Sequence, residues 1–145
     1  MKRTLFILVF SFVSLSSVGI ARAEDPFVYI SFEQKSVKLR SEVFWNTITP
    51  KALTLNVRSN CFHGSVVATM SSLRNPAGGK ITQDRVFVKT SSTGGFVPLV
   101  KPVAISSPVY GPHNIVVDFM VKGNGPYDNA GQYYGTLVFT VMPAV

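Results

Sequence analysis

Asp128–Met142 reads DNAGQYYGTLVFTVM, a tight corner feeding a long strand. Tyr133, Gly135, Leu137, Phe139 and Val141 alternate with Gln132, Tyr134, Thr136, Val138, Thr140 and Met142. Side chains two apart share a face of a strand. The first set is apolar and the second is mixed with threonines, so the stretch predicts a strand with one face on a core.

The corner has a physical reading of its own. Asp128 can accept hydrogen bonds from backbone N–H groups just downstream and close an Asx-type turn. Gly131 supplies the positive φ that ends such a turn. Tyr133 then enters the strand ring-inward, its hydroxyl bonding backbone a few residues upstream. This is the tyrosine-corner arrangement of Ig-like sandwiches; the alternative is a generic loop, glycine turn and strand, and either way the role is structural.

Working outward, the same alternation recurs. His113–Lys122 places Ile115, Val117, Phe119 and Val121 on one face. Ala52–Ser59 does so with Leu53, Leu55 and Val57, and Ser65–Ser71 follows as its partner after a turn over residues 60–64. Phe27–Glu33 and Ser36–Arg40 are two further strands, the second with Val37 and Leu39 inward. Asp84–Thr90 is another, with Arg85 outward if Val86 and Val88 face in; the facing of residues 65–71 and 84–90 stays open. Pro50 ends the segment that starts at Glu42, where the adjacent Phe44 and Trp45 cannot share one face. Four prolines between Phe96 and Pro112 mark edge strand and loop, because proline cannot donate to a central ladder. No long helical pattern appears. About seven short strands separated by Gly/Pro turns predict an all-β, antiparallel Ig-like β-sandwich.

The N-terminal end reads differently. Met1-Lys2-Arg3 is basic, Leu5 to Ile20 is apolar, and Ala21-Arg22-Ala23 is a small-x-small cleavage signal. These are the three parts of a secretory signal peptide. The alternative, a membrane anchor, fits poorly with so short and serine-rich a run. Residues 1–23 are expected to be cleaved, leaving 24–145 as a single domain with no transmembrane segment. Removing 23 of 145 residues leaves 122, enough for a proper core. Of 14 Lys and Arg, three lie in the leader, so 11 stand against seven acids, a net charge of +4. The basic residues form no stripe with interleaved aromatics, which argues against nucleic acid as partner. The single cysteine, Cys61, rules out an internal disulfide; its thiol is expected to be an inert small hydrophobe, as lone thiols in strand-rich cores usually are, with an intermolecular bridge as the alternative.

The span AGQYYGTLVFTV (residues 130–141), with ALTLNVRSN (52–60) and DRVFV (84–88), resembles small exported bacterial β-sandwich proteins: fimbrial subunits, the spore-coat-U-like group and WxL-type surface domains. The resemblance implies an Ig-like fold and a surface, coat or filament role, with no catalytic residues. Two features depart from it. Pilin-like subunits often hold a disulfide, which one cysteine cannot form, and WxL domains carry tryptophan motifs, whereas Trp45 stands alone.

The search for chemistry turns up one constellation. Cys61 and His63 are two apart and share a strand face, with His113 distant. A thiol nucleophile needs a base and a backing acid. The acid nearest His113, Asp118, lies at odd separation on the same strand and so on its opposite face. The three lack the ligand spacing of zinc sites, and no phosphate loop or G-x-S-x-G motif occurs. The reading assigns no catalytic residue, no cofactor and no metal. Phe44, Trp45, Tyr110, Tyr127 and Tyr134 are the candidate binding aromatics, able to stack on sugars or anchor a protein. The expected function is a non-enzymatic exported structural or interaction module of the bacterial envelope, cell surface or a filament. Its partners would be other envelope proteins, like subunits or glycans. Two alternatives stand beside it. One is a pilin-like subunit that donates residues 24–33, apolar at Val28, Ile30 and Phe32, to a neighbour's sheet. The other is a carbohydrate- or protein-binding adhesin.

Overall fold

A computed structural model describes residues 3–9, 25–42, 44–123 and 131–145. The chain is all-β, two facing sheets around one apolar core. The five-stranded sheet B has the order β10 (Val97–Pro98), β9 (Val86–Lys89), β13 (His113–Val121), β4 (Thr47–Ser59), β2 (Val28–Phe32). Sheet A has the order β11 (Val103–Ala104), β6 (Val66–Met70), β14 (Tyr133–Val141), β1 (Arg3–Val9), β3 (Ser36–Ser41). The short β7 (Leu73–Arg74) also pairs with β14 and carries β8 (Lys80–Ile81) beside it. A separate two-stranded ribbon joins β5 (Phe62–His63) to β12 (Val109–Tyr110). Every described pairing is antiparallel except β1 with β14. Among the described residues no helix is long and apolar enough to cross a membrane.

Alternation explains the core. Leu53, Leu55 and Val57 of β4 and Ile115, Val117, Phe119 and Val121 of β13 are buried from sheet B. Tyr133, Leu137 and Phe139 of β14 and Val37 and Leu39 of β3 are buried from sheet A. The two facings left open resolve as Val66, Ala68 and Met70 inward on β6, and Val86 and Val88 inward on β9. The prolines of residues 96–112 fall in loops or in β10, at an outer edge of sheet B, where a missing N–H is harmless.

Four expectations need correction. The strand segments number fourteen among the described residues. All seven expected strands are there, and the surplus is β1 plus six pieces of two residues each, too short to show a period. Residues 66–70 are not the hairpin partner of β4: they cross to sheet A beside β14, with the Gly64 N–H donating to the Met142 carbonyl at 3.0 Å. Arg85 is not outward. It lies in a 3-10 turn over Gln83–Arg85, and its buried guanidinium donates to the Lys122 carbonyl from Nε at 3.1 Å and Nη2 at 2.8 Å.

The fourth correction concerns Pro50, which does not end a strand. β4 runs through it because Thr49 pairs with Phe119 while Leu53 pairs with Val117, so three residues oppose Asp118 alone. Such a bulge admits both a proline and the left-handed Lys51 (φ 48°). The Asp118 carboxylate accepts from the Lys51 N–H at 2.7 Å, holding the bulge.

Candidate functional site

The feature that stands out is a strand position in sheet A. β14 and β3 both come from the segment expected to be the mature domain, yet they do not pair. Residues 3–9, inside the expected leader, lie between them. β1 runs parallel to β14 in the register Leu5↔Tyr133 to Val9↔Leu137. It runs antiparallel to β3 in the register Arg3↔Ser41 to Leu8↔Ser36. Paired strands stand about 4.8 Å apart, so β3 and β14 are separated by roughly 10 Å. Among the described residues β3 joins sheet A only through β1.

The walls of this slot are defined by the alternation on both sides. Positions 5, 7 and 9 stand in register with Tyr133, Gly135 and Leu137 on one side, and positions 5 and 7 with Leu39 and Val37 on the other. Leu39 and Leu137 are fully buried, and Tyr133 and Val37 nearly so. Positions 6 and 8 stand in register with Tyr134 and Thr136, and with Lys38 and Ser36. An occupant therefore needs apolar residues at every second position and a free backbone N–H and C=O at each. Gly135 lets β7 approach closely within the same sheet: a Cβ there would come within 2.5 Å of Leu73 Cδ2.

The corner residues close one end of the slot. Tyr133 is 1% exposed and Gly131 has φ 149°. The Tyr133 hydroxyl lies against Gly79, where an added Cβ would meet it at 2.5 Å. Gly79 belongs to a turn fastened by Asn75, whose Oδ1 accepts from the Gly79 N–H at 2.7 Å and whose own N–H donates to the Gly79 carbonyl at 3.0 Å. Asp128 lies outside the described residues.

The other sequence candidates fall elsewhere. The His63 and His113 rings stack at 5.2 Å and 16°. His63 Nδ1 is 2.7 Å from the Gly64 carbonyl and so carries the proton it donates. Both Nε2 atoms are buried without a partner among the described residues. The half-buried Cys61 has its sulfur 3.6 Å from the Phe27 carbonyl and from Ser59 Oγ. Asp118 is engaged at the β4 bulge. The histidines thus meet each other face to face rather than through a ring nitrogen, and among the described residues neither is hydrogen-bonded to an acid. No group of three or more metal-capable residues converges among the described residues.

The aromatics are dispersed. Phe44 and Trp45 are each 72% exposed, in the bend before β4, where the Glu42 and Trp45 backbone packs on Gly123. Tyr110 pairs with Phe62 on the ribbon near the start of β13. Nine residues of β13, about 30 Å, separate those two ends. Tyr134 lies on the outer face of β14, its hydroxyl donating to Gln132 Oε1 at 2.7 Å. Tyr127 lies outside the described residues. Sequence reasoning missed the exposed Phe27 and Phe62, because residue 27 was counted into a strand and residue 62 into a turn.

Compared with known proteins, no family model matches the chain and no curated protein matches it significantly.

Proposed function

We propose that the chain is a non-enzymatic structural or interaction module, exported to the bacterial envelope, cell surface or a surface filament, whose sandwich is completed by an added strand. One observation supports this: the place in sheet A between β14 and the edge strand β3 is filled by residues 3–9, which a signal peptidase would remove. A mature chain of residues 24–145 then has two facing rows of unpaired N–H and C=O groups on β3 and β14. It also has a groove floored by core side chains. Open strand edges template pairing with another chain, and an extended peptide that enters one gains ladder bonds and alternate side-chain pockets.

The donor in this reading is residues 24–33 of a neighbour. In its own chain this segment supplies β2, at the edge of sheet B, held among the described residues on one side only, by β4. Its apolar residues Val28, Ile30 and Phe32 repeat at the interval the slot requires. Gel filtration of residues 24–145 tests the reading. Strand exchange gives SDS-resistant oligomers that vanish when 24–33 is deleted. A single monomeric species with full stability removes it.

A second reading, a carbohydrate- or protein-binding adhesin, is favoured by the exposed Phe44–Trp45 pair. A glycan screen with Trp45→Ala as control tests it, and absence of binding by the unaltered protein ends it.

A further inference from the structure

We propose that residues 3–9 plug the slot in the precursor, so that removal of the leader is the step that opens the chain to strand exchange. This rests on the strand-completion reading and adds its regulation. The plug is a central strand, with a ladder to β14 on one side and to β3 on the other. While it is in place neither β3 nor β14 presents a free edge at the slot. Its residues lie upstream of Ala21-Arg22-Ala23. Hydrolysis of the Ala23–Glu24 amide by an endopeptidase adds one water, leaving a carboxylate on Ala23 and an amino terminus on Glu24, and the plug is no longer part of the chain.

The tether matters more than the contacts. A covalently attached strand competes at an effective concentration on the order of millimolar. A donor from another molecule at micromolar concentration therefore loses the competition until the leader is cut. Parallel ladders are also slightly less stable per residue than antiparallel ones, so the plug is displaceable once it is untethered. The same slot thus has two occupants in succession, the first of them from its own chain.

The test compares the full chain, refolded from denaturant without peptidase, with residues 24–145 freshly refolded at high dilution and still monomeric, by hydrogen exchange and solution mass. The full chain should be monomeric, with amides of β3 and β14 exchanging at least roughly tenfold more slowly than in 24–145. Ile7→Pro removes a backbone donor at the middle of the plug, opposite Gly135 and Val37, and should abolish that difference. A synthetic peptide of residues 1–12 added to 24–145 should slow the same amides, and its Ile7→Pro version should not. Equal exchange in the full chain and 24–145, or unchanged protection in the Ile7→Pro chain, overturns the plug. If a peptide of residues 24–33 then still protects β14 of 24–145, strand completion survives and only the plug falls. If neither peptide protects, both fall.

Discussion

Sheets A and B are built from the same kind of strand and differ in what completes them. Sheet B draws all five strands from residues 28–121, and its central pair, β4 with β13, is in register from His113↔Val57 to Val121↔Thr47 around one bulge. Sheet A has the strand between β14 and β3 supplied by residues 3–9. One layer is a scaffold that needs nothing beyond the expected mature domain. The other takes one of its strands from the expected leader. The lesson is that alternation specifies which face of a strand is buried, but not which segment stands beside it.

The comparison can be broken from its largest effect downward. Phe119→Ala, in the middle of sheet B, should cost about 3–5 kcal/mol, equally in the full chain and in 24–145, as read by denaturant unfolding. Leu39→Ala on β3 should cost about 2–5 kcal/mol in the full chain but less than half as much in 24–145. Equal losses in the two forms would show that the leader does not cover Leu39. Gly79→Ala should cost about 1–3 kcal/mol in both forms, because the new methyl overpacks the Tyr133 hydroxyl. On the corner reading Tyr133→Phe should cost about 1 kcal/mol, the loss of one buried hydrogen bond; full retained stability would remove that reading. Trp45→Ala should stay within about 0.5 kcal/mol, and a larger loss would mean the ring packs rather than protrudes.

Much of the core was legible from spacing alone. The inward sets of β4, β13 and β14 are strict period-two runs, and their burial follows. What was not legible depends on partners far along the chain. Pro50 looked like a terminator because the bulge that accommodates it is held by Asp118, 67 residues from Lys51. Arg85 looked solvent-facing because its acceptor, the Lys122 carbonyl, is 37 residues away. Two-residue strands have no period to read. Residues 3–9 were hidden by their own composition: a continuous apolar run serves an export signal and a central strand equally well. Of the slot, the sequence displays the two walls in Val37, Leu39, Tyr133 and Leu137, but not that they face each other across a third strand.

Asn60 has a kinetic consequence. Its Oδ1 accepts from the Phe27 N–H at 2.8 Å, its Nδ2 donates to the Asp25 carbonyl at 3.0 Å, and its own N–H reaches the Phe27 carbonyl at 3.4 Å. These three bonds bracket the chain just ahead of β2. For β2 to leave β4 they must break together, which makes departure an activated event with little fraying beforehand. On the strand-exchange proposal, replacing Asn60 would therefore speed assembly while hardly altering the size of the product.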